Sequence, residues 1–196
     1  GRTEQLAMLA TAFETVRNGG TVCVTVQGKS GQGKSTLVEH FLNSLLDDRR
    51  AVVLKGRCYQ QESVPYKAVD AVMDNLSRYL SSLSQLEVEA ILPRDIAPLT
   101  QIFPVLSRVE AVARAPRSGS PIADQRELRK RAFAAMRELL ARLADRTPLV
   151  LLLDDLQWGD RDSSELLVEL ISPPQAPALL VLACYRSEGA PQNVFA

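Results

Sequence analysis

The chain has 196 residues, of which 46% are hydrophobic and 23% are charged, and its 23 basic side chains balance 23 acidic ones. This length fits one domain with a substantial buried core. The zero net charge excludes a general electrostatic attraction to nucleic acid or to an anionic membrane surface, and no apolar stretch approaches the length of a membrane span.

The first predicted element is a helix over residues 3–17, because apolar side chains recur on one face and Asn18-Gly19-Gly20 follows as a stop signal. A β-branched run at 22–26 then predicts a strand buried on both faces. From Leu37 to Leu46 apolar residues recur with helical spacing, which predicts an amphipathic helix after a glycine-rich turn.

This turn reads Gly28, four residues, Gly33, Lys34 and Ser35, which is the G-x-x-x-x-G-K-[ST] pattern of a phosphate-binding loop. Its glycines accept backbone angles that direct several N–H groups into one concavity, and the helix N-terminus strengthens the attraction for phosphate. We expect Lys34 to reach the β and γ phosphates and Ser35 to bind Mg²⁺. The predicted nucleotide-binding residues of the loop are Gly28, Lys29, Ser30, Gly31, Gln32, Gly33, Lys34, Ser35 and Thr36. The alternative is a chance match in an ordinary glycine-rich turn.

The middle of the chain predicts a solvated loop at 47–50, a strand at 51–56 and a helix at 66–80. Five prolines then interrupt the pattern, so we expect an insertion of short helical fragments at about 82–121, with residues 113–121 mobile. A long helix resumes near Asp124, and its arginines are predicted to form a solvated face. They are Arg126, Arg129, Arg137 and Arg142.

Two continuous apolar runs, "PLVLLL" and "PALLVLACY", predict buried strands near the C-terminus, and their alternation with helices indicates a parallel sheet covered on both faces. Ligands bind such sheets beyond the carboxyl ends of the strands, where Gly28, Asp154, Asp155 and Arg186 fall. Cys23 and Cys184 lie within apolar runs and no cysteine has metal-ligand spacing, so we expect buried, reduced thiols in a cytoplasmic protein.

The acids of "LVLLLDD" supply carboxylates near the predicted phosphate loop. Asp154 fits the Walker B aspartate, which holds Mg²⁺ through a water or through Ser35. Asp155 follows where a carboxylate orients or deprotonates the attacking water. The alternative is an acidic turn in which Asp155 or Asp160 only caps the next helix.

Three residues are predicted to act in catalysis: Lys34, Asp155 and Arg186. Arg186 ends the last apolar run, where it can contact the γ phosphate; the alternative is an ordinary arginine in solvent. The sequence contains neither N-K-x-D nor T-K-x-D, the motifs that recognise guanine, so the expected ligands are ATP or ADP with Mg²⁺.

Several segments together resemble the AAA-like ATPase domains of the STAND class, the signal-transduction ATPases with numerous domains. The resemblance is to domains found beside bacterial protein kinases, nucleotide cyclases and LuxR-type regulators, and it covers nearly the whole chain. In the lead-in, Glu4 stands one residue earlier than the family's G-R-x-x-E-x-x-x-L spacing. The similar segments are "GRTEQLAMLATAF", "GRCYQQESVPYKAV", "IFPVL", "QRELRKRAF" and "LLLDDLQWGDRDSSELL".

This resemblance implies an α/β P-loop NTPase fold of three layers, with a parallel sheet of order 5-1-4-3-2. It also implies that Gly1 and Arg2 lie near the adenine, that Lys34, Ser35 and Thr36 bind phosphates and metal, and that Arg186 is the sensor arginine. Many hydrolytic relatives carry glutamate where this chain has Asp155, which is one methylene shorter, so we expect slow hydrolysis.

The chain begins at Gly1 rather than Met and ends soon after an apparent strand, so we expect a piece of a longer protein. A fifth strand would then be truncated and the helical lid absent, with residues 1–196 forming one ATPase domain.

The leading functional interpretation is a nucleotide switch, which ATP and Mg²⁺ hold in one conformation and slow hydrolysis releases. Its expected partners are fused or associated signalling domains, and such a switch can also self-associate in a nucleotide-dependent way. A P-loop small-molecule kinase is one alternative, although the insertion is only lightly basic. A DNA-associated initiator or loader ATPase is another, although neutral charge gives no reason to expect direct nucleic-acid contact. A degenerate scaffold is a third, but every phosphate-loop position is filled.

Overall fold

The computed structural model describes residues 2–48, 50–60, 65–116 and 122–186. Four strands form one all-parallel sheet in the order β1-β4-β3-β2. The strands are β1 (Thr21–Gly28), β2 (Val52–Arg57), β3 (Leu149–Asp154) and β4 (Leu179–Arg186). The predicted α/β class is confirmed, and the described strands follow the expected order 1-4-3-2. The fifth strand stays a prediction, and residues 187–196 lie outside the described part of the chain.

Helices cover both faces of the sheet, which gives three layers. On one face α1 (Thr3–Arg17) and α2 (Lys34–Asp47) pack against the sheet through a cluster that includes Phe13, Leu42 and Leu180. The second face is covered by a larger helical layer. Its helices are α3 (Lys67–Ser82), α4 (Gln85–Ile91), α5 (Ala97–Ile102), α6 (Glu110–Arg114), α7 (Gln125–Ala144) and α8 (Arg161–Ile171), with 3₁₀ turns at Pro104–Arg108 and Leu156–Trp158.

The continuous apolar runs that predict β3 and β4 occupy the centre of the sheet, where both faces are buried. β1 is different: in the described part of the chain it is an edge strand, and Cys23, Thr25 and Gln27 are exposed. The predictions that β1 is buried on both faces and that Cys23 is buried are therefore wrong. Cys184 on β4 is buried as predicted, and burial raises the pKa of its thiol to about 12.

The insertion consists of the short helices α4, α5 and α6 and the 3₁₀ turn at Pro104–Arg108. The start of α4 is closed by a capping box, in which Ser84 and Glu87 exchange side-chain and backbone hydrogen bonds. Residue 114 ends α6, and residues 117–121 lie outside the described ranges, so mobility of the segment 113–121 stays a prediction.

The α7 arginines differ from the solvated face that the sequence predicts, because three of them are partly buried and bonded to neighbouring elements. Arg129 lies 2.7 Å from Asp162 of α8, and Arg137 donates to the Glu169 carbonyl at 2.9 Å. Arg142 donates to the Leu92 carbonyl. Of the four, Arg126 is exposed as expected. These guanidinium groups therefore connect α7 to the helices around it.

The start of α8 is joined to the start of α3 by one carboxylate. Asp160 accepts hydrogen bonds from the Ser163 N–H at 2.9 Å, the Ser163 hydroxyl at 2.6 Å and the Tyr66 N–H at 3.1 Å. The fully buried Ser163 Oγ in turn accepts from the Ala68 N–H at 3.1 Å. The alternative assigned to Asp160 from the sequence, capping of the next helix, is thus what the structure contains.

Replacing Asp160 with alanine should lower the free energy of unfolding by about 1–2 kcal/mol at pH 7, because a helix cap and the Tyr66 contact are lost together. Burial alone would raise the pKa of Asp160, but the hydrogen bonds from Ser163 and Tyr66 outweigh it and lower the pKa. A lowered pKa contributes stability that is present above the unfolded-state value and is lost as pH falls through the folded value.

Urea denaturation at pH 7 and at lower pH checks this prediction, since the difference between wild type and Asp160→Ala should narrow below about pH 4. Asp145→Ala is the matched control, because Asp145 is an exposed acid at the C-terminal end of α7 and should change stability little. A difference between wild type and Asp160→Ala that is constant with pH would contradict the assigned role of the ionised carboxylate.

Candidate nucleotide-binding site

The carboxyl ends of the four strands meet at one edge of the sheet. The register pairs Gly28 of β1 with Arg186 of β4, and Arg57 of β2 with Asp154 of β3. The sequence predicts Gly28, Asp154 and Arg186 at this edge, and the structure brings them together. Arg57 also lies at this edge, although the sequence pattern does not single it out.

The glycine-rich turn has the backbone that the phosphate-loop pattern demands. Gly31 and Gly33 have φ of 75° and 71°, which side-chain-bearing residues adopt only with strain, and Gly33 is the N-cap of α2. No side chain from the described residues caps α2, so its first-turn N–H groups suit an anion. A Cβ at Gly28 would lie 2.7 Å from Gln32 Oε1. The loop therefore fits a phosphate cradle.

Polar side chains hold the loop in shape from within. Lys34 Nζ donates to the carbonyls of Gly28 at 2.7 Å and Lys29 at 2.9 Å. Gln32 Oε1 accepts from the Lys29 N–H at 2.8 Å. The acceptors of Lys34 are neutral, and a phosphate oxygen makes a stronger, charge-assisted hydrogen bond with an ammonium group. Lys34 is thus held at the loop with weak partners.

Arg2 approaches the loop from the start of α1. Its guanidinium donates to the Gly33 carbonyl at 2.7 Å and also to the Gln32 carbonyl. The structure thus gives Arg2 a contact with the phosphate loop itself, while its predicted place near the adenine stays a prediction. Gly1 lies outside the described residues.

Asp154 and Ser35 offer oxygen ligands of the kind that Mg²⁺ prefers. Asp154 is half-buried and accepts from the Asp155 N–H at 3.0 Å. Burial and the neighbouring Asp155 charge raise the pKa of Asp154, while the Asp155 N–H and the charges of Arg57 and Lys34 act against that rise. Within the described ranges no group of three or more His, Cys, Asp or Glu could hold a metal ion. The binding of Mg²⁺ by Asp154 and Ser35 stays a prediction.

The Asp155 carboxylate is contacted by three side chains, those of Arg57, Gln157 and Arg186, and we call these four residues the Asp155 cluster. Arg57 Nε and Nη2 donate to Asp155 Oδ2 at 3.1 and 2.9 Å, and Gln157 Nε2 donates to Oδ1 at 2.9 Å. Arg186 Nε lies 3.4 Å from Oδ1. The Asp155 side chain is 13% exposed, against 54% for Arg57 and 43% for Arg186.

This arrangement favours the ionised form of the Asp155 carboxyl group. Burial by itself would raise the pKa of Asp155, but hydrogen bonds from Gln157 and Arg57 and the charges of Arg186 and Arg57 outweigh it and lower the pKa. The backbone of Asp155 is left-handed, with φ of 55°, a conformation that aspartate tolerates better than most residues. Asp155 is therefore a paired carboxylate, and a weak proton acceptor in this arrangement.

Two members of the Asp155 cluster, Arg57 and Gln157, were missed by the sequence analysis. Arg57 follows the same strand-end rule as the other site residues, because it is the last residue of β2. Gln157 has no such signal: it becomes visible only when its partners are known. Trp158, the next residue in the same 3₁₀ turn, packs against the larger core cluster.

Comparison with known proteins agrees with this geometry. The profile of the AAA ATPase domain matches residues 1–182. The chain belongs to the AAA ATPase domain family. This AAA ATPase domain is also 28% identical over 178 residues to hybrid signal transduction histidine kinase G of Dictyostelium discoideum. That match covers 85% of this chain and 5% of the kinase. In the described ranges, no helix is both long enough and apolar enough to span a membrane.

Replacing Gly33 with alanine should destabilise the domain more than the same change at Gly19. Both glycines have left-handed backbones, which cost about 1–2 kcal/mol for an L-residue. A Cβ at Gly33 would also lie 3.1 Å from Arg2 Nη2, whereas a Cβ at Gly19 meets nothing within 4 Å. The Arg2 guanidinium can move away from this Cβ only by weakening its hydrogen bonds to the Gln32 and Gly33 carbonyls. The difference in the free energy of unfolding between the two variants thus reports the Arg2 contact.

Urea denaturation of Gly33→Ala and Gly19→Ala, each with and without Arg2→Ala, measures this contact as a double-mutant cycle. The extra cost at Gly33 should disappear when Arg2 is removed. Equal costs at the two glycines in the presence of Arg2 would contradict the observed packing of its guanidinium on the loop.

Proposed function

We propose that this AAA ATPase domain is an ATP-binding, slowly hydrolysing nucleotide switch in a larger signal-transduction or regulatory protein. The observation that carries the proposal is the Asp155 cluster, because two arginines at the same sheet edge as the phosphate loop share one internal carboxylate. A γ phosphate offers the same guanidinium groups a second anionic partner. The site thus has two alternative pairings, which is what a switch needs.

In the proposed complex the backbone N–H groups from Gly28 to Thr36 bind the phosphates. Lys34 exchanges the neutral carbonyls of Gly28 and Lys29 for β and γ phosphate oxygens. Ser35 and Asp154 hold Mg²⁺, which supplies neutralisation of the phosphate charge when bound. Gly1 and Arg2 lie on the adenine side, and adenine is proposed over guanine because no guanine-reading motif occurs.

Slow hydrolysis follows from the state of Asp155. Its carboxylate is held by Arg57, Gln157 and Arg186 and has a lowered pKa, so it takes up a proton from water poorly. Release of Asp155 from these partners would have to precede any water-positioning role. We therefore propose that turnover is well below the ~10 s⁻¹ typical of enzymes.

The cellular context is proposed from the kind of protein to which the chain is similar. The kinase relative is named as a signal transduction protein, and the match spans a small part of it. We propose fused or associated signalling domains as partners, a cytoplasmic location and nucleotide-dependent self-association. Arg129 and Arg137 pair with acids of α8, so they do not supply the cationic surface that the lid of a small-molecule kinase or a DNA contact would use.

The first prediction from this proposal is that Lys34→Ala weakens binding of ATP with Mg²⁺ at least about tenfold, since a charged hydrogen bond contributes on the order of 1.5–3 kcal/mol. Titration calorimetry measures the affinity. Lys55→Ala is the matched control, because it removes the same charge from an exposed position on β2. Equal affinities of Lys34→Ala and wild type would remove the phosphate role of the loop.

The second prediction distinguishes the role of Asp154 in cation binding from the role of Asp155 in hydrolysis. Asp154→Ala should weaken Mg²⁺-dependent ATP binding, because it removes a ligand of the cation. Asp155→Ala should not weaken ATP binding, because Asp155 bonds to Arg57, Gln157 and Arg186 and not to the nucleotide, while it abolishes the slow single-turnover hydrolysis. Calorimetry and single-turnover assays on the two variants check the split. Rapid turnover that is the same in wild type and Asp155→Ala would contradict the role given to this carboxylate.

A further inference from the structure

The Gln157 side chain donates one hydrogen bond and accepts another within the site. Its Nε2 donates to Asp155 Oδ1 at 2.9 Å, and its Oε1 accepts from the backbone N–H of Arg186 at 3.1 Å. Gln157 belongs to the 3₁₀ turn that follows Asp155, whereas Arg186 is the last residue of β4. One side chain thus connects the turn after β3 with the end of the neighbouring strand.

The position of Gln157 follows from where the strands stop pairing. The pairs of β3 with β4 end at Leu153 and Ala183, whereas those of β1 with β4 continue to Gly28 and Arg186. The Arg186 backbone therefore extends beyond the last β3 pair, and the Gln157 amide oxygen supplies an acceptor there. On its other side Arg186 is in register with Gly28, the first residue of the phosphate loop.

The chemistry of the two bonds requires an amide. A carboxamide has a donor and an acceptor at one end, whereas glutamate would only accept and leucine would do neither. The orientation of the amide is assigned from its partners: Asp155 requires the donor, and the Arg186 N–H requires the acceptor. Both bonds are therefore satisfied by this residue type in one orientation.

We propose that Gln157 is a positioning residue, which links the Asp155 carboxylate to the end of β4 so that Asp155 and Arg186 respond together to the γ phosphate. This inference rests on the proposed nucleotide-binding function. When Arg186 leaves Asp155 for a phosphate oxygen, the Gln157 link keeps the strand end in register with the phosphate loop and carries the change to the turn after β3. If Gln157 only supplied an acceptor for the Arg186 N–H, replacing it would not change the ratio of the affinities for ATP and ADP.

The test is a double-mutant cycle of Gln157→Leu and Arg186→Ala, with affinities for Mg²⁺-ATPγS and Mg²⁺-ADP measured by titration calorimetry. Gln157→Leu should lower the ratio of ATPγS to ADP affinity by about fivefold, the usual worth of one hydrogen bond, while the affinity for ADP stays within about twofold. In the Arg186→Ala background the same change should have no further effect on the ratio.

An unchanged ratio in Gln157→Leu, or effects of the two substitutions that simply add, would overturn the proposal. Gln157→Met is the second variant, since it keeps the length of the side chain without either hydrogen bond and serves if Gln157→Leu unfolds. Thermal unfolding of each variant confirms that the fold is intact.

A nucleotide-free measurement distinguishes failure of this inference from failure of the proposed function. Hydrogen exchange of the Arg186 backbone N–H, followed by NMR, should be faster in Gln157→Leu by on the order of tenfold, because its acceptor is gone. Unchanged exchange would overturn the link whatever the protein binds. If wild type binds neither nucleotide, the proposed function fails and the positioning role fails with it, even where the exchange result shows that the link exists.

Discussion

The parallel pairing of four strands is the constraint on which the rest of this site depends. Parallel strands place all their carboxyl ends at one edge, and here the register matches Gly28 with Arg186 and Arg57 with Asp154. Residues that are far apart in the chain thereby become neighbours; Arg57 and Asp155, for instance, are separated by 98 positions. Backbone hydrogen bonds fix the strand ends, so a change of partner at this site involves the charged side chains and not the strands that carry them.

The charges at that edge are incompletely balanced. Three cations, Lys34, Arg57 and Arg186, face two carboxylates, Asp154 and Asp155. Asp155 forms ion pairs with both arginines, whereas Lys34 donates hydrogen bonds to neutral carbonyls. The two acids have opposite properties, since burial and the Asp155 charge raise the pKa of Asp154, whereas hydrogen bonds and the arginine charges lower the pKa of Asp155. The resulting excess of positive charge agrees with the proposed binding of a polyanionic nucleotide.

Much of this arrangement can be predicted from the sequence, because it depends on local patterns. The glycine spacing predicts the phosphate loop, and the apolar runs predict β3 and β4 with their acids and arginine at the ends. The exposure of β1 could not be predicted in this way, since the burial of Cys23 depends on whether helices from elsewhere in the chain cover its face of the sheet. The partners of the α7 arginines and of Gln157 belong to other elements, so no spacing in the chain reveals them.

The most direct test of the account is a crystal structure of the domain grown with Mg²⁺ and a non-hydrolysable ATP analogue. The account predicts phosphates against the N–H groups of Gly28 to Thr36, Lys34 Nζ moved from the Gly28 carbonyl to a phosphate oxygen, and Arg186 parted from Asp155. A nucleotide bound at another place, with Lys34 still bonded to Gly28 and Arg186 still paired with Asp155, would contradict it.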